Sequence, residues 1–120
     1  MKSYKDLEIY NTAFDLAVRI RKLSISLNSF DKYEVGSQIR RSSQSIKDNI
    51  VEGYGRKRYK ADFIKFLVYS YSSQLEAKSQ AEFIFESTGD DKWKKIAEEL
   101  DTLGIKIHNF IAFVEKNWKV

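Results

Sequence analysis

The stretch Gln38–Arg56, QIRRSSQSIKDNIVEGYGR, shows two parallel lines of residues when wound as a helix. Ile39, Ser43, Ile46, Ile50 and Gly53 form a thin apolar stripe. Beside it Gln38, Ser42, Ser45, Asn49, Glu52 and Arg56 advance in steps of four and three as a second, uniformly polar line. Exposed helix faces are ordinarily filled with long helix formers such as Glu, Lys and Arg. Serines stand here instead, and small side chains let another backbone come close while Gln, Asn, Glu and Arg exchange hydrogen bonds across the contact. Gln38, Ser42, Ser45, Asn49 and Glu52 therefore read as a packed face, either a structural polar stripe within the fold or a subunit interface, against the plain alternative of a solvated helix face.

Outward from this helix the apolar residues keep the same period. Ile9, Ala13, Leu16, Ile20, Leu23 and Leu27 alternate steps of four and three, as do Trp93, Ile96, Leu100, Leu103, Ile107, Phe110 and Val114. Both are amphipathic helices of bundle type. Between them, Phe63, Ile64, Phe66, Leu67, Val68, Tyr69 and Tyr71 point almost all round a helix before the pattern narrows to Leu75, Ala77, Ala81 and Ile84. One bundle core covers one face of a helix, so the surplus calls for another partner. The chain has no proline in 120 residues, where about 5% is usual, and this removes the common helix breakers. Glycine becomes the punctuation: Gly53 and Gly55 flank one turn, Gly89 sits before Asp91 in another, and Gly36 lies near a break around Ser29–Tyr33. A single domain over residues 1–120 follows. It is all-α, an up-down-up-down antiparallel four-helix bundle; the competing reading is a three-helix array with a frayed first segment, against which the regular first stripe argues.

Charge gives a clue to a partner. The chain carries +4 overall, yet from Gln38 to Lys65 the bases Arg40, Arg41, Lys47, Arg56, Lys57, Arg58, Lys60 and Lys65 oppose only Asp48, Glu52 and Asp62, a local excess of +5. Arg56, Lys57, Arg58 and Lys60 cluster where one helix ends and the next begins, with Tyr54 and Tyr59 among them. Such a set supplies cations for phosphates beside rings that stack on unpaired bases. The plain alternative is a solvated basic turn.

Catalytic chemistry finds no foothold. There is no cysteine and one histidine, His108, set among Ile107, Phe110 and Ile111, so metal and cofactor sites are not expected and a structural histidine is. Asp90 and Asp91 fit a helix cap and a first-turn acid. Gly53-Tyr54-Gly55 lacks the further glycines and the strand of a nucleotide loop, and no Ser-His-acid set is visible, so the chain is expected not to be an enzyme. MKSYKDLEIYN contains no secretory leader and no segment approaches the roughly 20 apolar residues of a membrane span. A cytoplasmic location and no membrane partner are the expectation.

Gln38, Ile39, Arg40, Arg41, Ser45, Ile46, Asn49, Ile50, Glu52, Gly53, Gly55 and Arg56, with DLEIYNTAFDLAVRIRKL before them and FIKFLVYSYSSQLEAKSQ after, resemble the four-helix-bundle proteins encoded in intervening sequences of bacterial 23S rRNA genes. The resemblance spans nearly the whole chain and implies a homopentamer. Through a related branch, the accessory proteins of diversity-generating retroelements, it also implies nucleic acid and a reverse transcriptase as partners. It implies no catalytic activity. Lys47 stands where the family commonly has proline, and Ser42 and Ser43 where it has small apolar residues, which should leave this helix straighter and its core side wetter. Two functions follow from the whole. One is a homo-oligomeric module binding RNA or single-stranded DNA at the basic cluster. The other is a scaffold whose aromatic surface around Phe66, Tyr69 and Trp118 docks a partner enzyme.

Overall fold

Four long helices run up, down, up and down along a rod of 48 × 20 × 20 Å in the computed structural model, which describes residues 2–119. They are α1 (Glu8–Ile25), α3 (Val35–Gly55), α4 (Lys60–Thr88) and α5 (Asp91–Asn117); a single-turn helix, α2 (Ser29–Tyr33), sits in the connection between α1 and α3. The antiparallel four-helix bundle is thus the fold, and the first segment is a full member of it.

Each boundary has a local cause. Before α1, Ser3 accepts from the Lys5 amide at 3.1 Å while Asp6 accepts from the amides of Ser3 and Lys2 at 3.1 and 2.9 Å. This reciprocal cap winds Tyr4–Asp6 into a 3-10 turn that leads into the helix. Asn28 accepts from the Asp31 amide at 2.9 Å and starts α2. Gly89 ends α4 in the left-handed region, φ 71°, where a side chain would be strained. Asp90 then caps α5 through the Lys92 amide at 3.0 Å, the role its sequence position suggests.

The stripes read from the sequence become the core. Ile9, Leu16, Ile20, Ile39, Ile46, Ile50, Phe63, Leu67, Ile84, Trp93, Leu100, Leu103 and Ile107 are buried together. The bundle is closed by unequal seams. Between α3 and α4 the contact is long and made of small residues, whereas α1 touches α5 far less. The α4–α5 seam has its own device. Gln74, 1% exposed, donates from Nε2 to the Leu100 carbonyl at 2.9 Å, and its amide lies over Gly104, where a Cβ would sit 2.5 Å from it. Its Oε1 is buried without a partner.

Candidate nucleic-acid interface

The polar line of α3 faces α4 of the same chain. Ser42 donates to Gln80 Oε1 at 2.6 Å, Ser45 and Ser73 share a hydrogen bond of 2.8 Å, and Ser70 donates from α4 to the Ile46 carbonyl at 2.7 Å. Asn49 donates back one turn to the Ser45 carbonyl and hydroxyl at 2.9 and 3.0 Å. Ser42 and Ser45 thus pack against α4 of the same chain, while Asn49, half-buried, bonds only within its own helix. Gln38 and Glu52, at the ends of the line, are exposed. The partner surface on α4 is a matching line of small and polar residues, Ser70, Ser73, Ala77 and Gln80, hidden in the sequence among aromatics. Arg40, counted above with the basic excess, is likewise a structural tie: its guanidinium donates to the Ser24 hydroxyl and the Lys32 carbonyl, each at 2.9 Å, pinning the α1–α3 connection.

The basic cluster occupies the turn from α3 to α4, at the end of the rod that also holds the start of α1 and the end of α5. Its members differ in availability. Arg56 is held by Glu52 at 3.0 Å and Asp62 at 3.8 Å and lies 4.8 Å over the Phe66 ring, so it staples the last turn of α3 to the first of α4. Lys60 donates to the Glu115 carbonyl at 2.6 Å, meeting one of the open carbonyls at the end of α5. Lys57 rests half-buried, its ammonium 4.3 Å over the Tyr54 ring. Arg58 and Tyr59 stand exposed, Tyr59 at 64%, and Arg58 has no ion-pair or hydrogen-bond partner among the described residues. Tyr54 is corrected: it is 8% exposed, covered by Tyr4 edge-on at 6.5 Å and by Lys57, and so offers no face to a base.

The fold brings further cations to this end which the sequence scatters. Tyr4 ties the segment bearing the exposed Lys5 to the end of α3, and the Lys60 bond draws in the last turn of α5 with exposed Lys116 and, just beyond it, Lys119. Lys65, one turn into α4, lies 5.9 Å over the Tyr69 ring. Chain-distant contacts bring Lys5, Lys116 and Lys119 here, so no local motif marks them, whereas Lys65 belongs to the basic segment read from the sequence. The aromatic surface proposed for docking is also reduced. Trp118 packs edge-on to Phe63 at 5.0 Å, and Phe66 is covered by Arg56 and Tyr69, which leaves Tyr69 as its exposed member.

His108 is exposed, edge-on to Tyr71 at 6.1 Å. Among the described residues no three His, Cys, Asp or Glu side chains come together as a metal site, and no helix is long and apolar enough to cross a membrane.

Comparison with known proteins bears on the fold and the family. A crystal structure of a protein of unknown function from the S23 ribosomal protein family of Bacteroides thetaiotaomicron superposes with a TM-score of 0.77 at 23% identity, covering 86% of this chain and 97% of that one. At that identity the likeness speaks for the shared bundle. No curated protein matches the chain significantly. The model of the family described as 23S rRNA-intervening sequence protein matches residues 5–109, almost the whole bundle, and the chain belongs to that family.

Proposed function

We propose that this protein is a non-catalytic, homo-oligomeric module that holds RNA or single-stranded DNA at the α3–α4 turn, with a ring of five copies as the working form. The observation that carries this reading is the pairing of Arg58 with Tyr59: an unpaired guanidinium beside an exposed ring, on a turn made rigid by Arg56 and Lys60. Phosphates attract the first and unstacked bases the second. A turn held in place on both sides loses little freedom when it binds. Repetition around a ring multiplies weak contacts into avidity.

Labelled single-stranded RNA and DNA titrated at several salt concentrations test it. Lys57→Ala with Arg58→Ala should weaken both alike and flatten the slope of log affinity against log salt by about 1.4, two phosphates at about 0.7 each on single strands. Tyr59→Ala should cost about 1–3 kcal/mol at low salt. Arg56 and Lys60 stay intact in these variants because they hold helix ends. If the parent does not bind near physiological salt, or the double variant binds as well as the parent, the turn is merely solvated. Light scattering tests the assembly separately, and a monodisperse species of 14.1 kDa sinks it. The scaffold reading draws on Val68, Tyr69 and Leu75, exposed along α4; tight binding of a partner protein by a chain that ignores RNA would favour it.

A further inference from the structure

A second concentration of positive charge lies in the groove between α1 and α5, toward the opposite end of the rod. It is lined by Arg19, Lys22, Lys92 and Lys95 over a floor of Leu23 and Ile96, and no carboxylate lines it. The four cations come as two pairs at helical spacing, one from each wall. Arg19 is already engaged: its guanidinium meets Glu99 at 2.8 and 2.5 Å and Asp15 at 3.2 Å, which closes the inner edge of the groove. The nearest cap, Asp90, is turned onto the Lys92 amide. Lys22, Lys92 and Lys95 are exposed and have no ion-pair partner among the described residues. Lys92 and Lys95 also lie in the first two turns of a 27-residue helix, where the backbone dipole adds to their field.

Like charges are not gathered this way for stability, since Lys22, Lys92 and Lys95 repel one another and only Lys95 has a carboxylate near it, that of Glu99, which Arg19 already holds. Packed helices lie about 8–10 Å apart, so ammonium groups on facing walls reach a common linear ligand. We propose that this groove is a binding site for a ligand carrying several phosphates in a row, held by Lys22, Lys92 and Lys95. The shared chemistry is a phosphate chain, whether the backbone of a single-stranded nucleic acid or an inorganic polyphosphate. The site is independent of the α3–α4 turn.

The experiment compares the parent, a groove variant (Lys22→Gln, Lys92→Gln and Lys95→Gln, which removes the charges and keeps polar side chains) and the Lys57→Ala/Arg58→Ala variant. Each is titrated with sodium tripolyphosphate and with labelled decauridylate at about 50 mM salt and above, and melting curves verify folding. The groove variant should bind tripolyphosphate at least about tenfold more weakly. If the ligand is a nucleic-acid backbone it should also lose decauridylate, with the salt slope flattened by about 2 for three phosphates; if only tripolyphosphate is lost, the ligand is free polyphosphate. In the parent, tripolyphosphate should shift the backbone amide resonances of Lys92 and Lys95, a reading that needs no variant. The proposal is overturned if the parent binds neither probe, if the groove variant binds both as the parent does, or if those amides do not move. Loss of decauridylate in the Lys57/Arg58 variant alone assigns nucleic acid to the turn, and the groove then stands only if its own variant loses tripolyphosphate.

Discussion

Two seams of the same bundle are built on opposite rules. Between α3 and α4 the middle of the contact is made of serines, with Gln80 on one side and Gly53 against Phe63 and Phe66 on the other, the backbones come close, and hydrogen bonds such as Ser70 to the Ile46 carbonyl run directly across. Between α1 and α5 the contact is thin and is bridged from outside by long charged side chains, Arg19 to Glu99 and Lys106 to Glu8. The first seam is determined by shape and the second by charge. Around Ser45, Ser70 and Ser73 the packing is too close to admit a ligand, whereas the seam spanned by long side chains keeps a groove beside its bridges, and this is where the unpaired lysines Lys22, Lys92 and Lys95 collect.

The comparison breaks most readily in the tight seam. Ser70→Leu forces a large side chain between two backbones and removes the donor to Ile46, and should lower stability by about 2–3 kcal/mol in urea denaturation. An unchanged midpoint would mean that α3 and α4 are not held at close range. Asn49→Leu should cost less, about 1 kcal/mol, because its half-buried amide bonds only within its own helix.

The charged seam should respond to solution conditions instead. Hydrogen bonds from Arg19, helped by the nearby Lys95, hold the Glu99 carboxyl below its ordinary value of 4.5, and the same contact makes Arg19 harder to deprotonate. A carboxyl depressed in the folded state adds stability above its unfolded value and gives it up as pH falls through the folded one. Each partner is 36% exposed, so after solvent screening the contribution is a few tenths to about 1 kcal/mol. Arg19→Met should therefore melt below the parent at pH 7, and the gap should narrow toward pH 3 and in about 1 M salt. A gap independent of both would assign the loss to packing of the Arg19 stem.

The four helices were legible because their apolar residues repeat at a period that only a helix satisfies. Of the polar line of α3, the serines Ser42 and Ser45 were legible as packed, since serines are an odd choice for solvent, while Gln38 and Glu52 at its ends are exposed. Its partner was not, because Ser70, Ser73 and Gln80 are interleaved with Phe66, Tyr69 and Tyr71, whose bulk dominates any reading of α4. The single turn of α2 rests on one capping side chain, too little for a periodicity to register. At the candidate site, adjacency in the chain exposed the Arg56–Lys60 cluster but not the division of labour within it. Whether a cation is free depends on contacts such as Asp62 and the Glu115 carbonyl, and Tyr54 belongs to the core through Tyr4, fifty positions earlier. The α1–α5 groove left no trace at all, since its two walls are some seventy residues apart in sequence.

The smallest expected effect on stability, and the most specific one, concerns Gln74. With its amide laid into the gap at Gly104, α4 and α5 are keyed to one register. Sliding them by one turn, about 5.4 Å, would bring the amide against Leu100 or His108, where a side chain fills the space, and would part Nε2 from its carbonyl. A buried polar group can fix alignment even where it adds nothing to stability, and the unmatched Oε1 fits that role. Gln74→Met should leave the melting temperature near that of the parent while multiplying or broadening the amide resonances of both helices; a single sharp set would show that the apolar stripes alone suffice. The bundle in this view has a notch as well as a core: burial decides that α4 and α5 come together, and one missing side chain decides at what height.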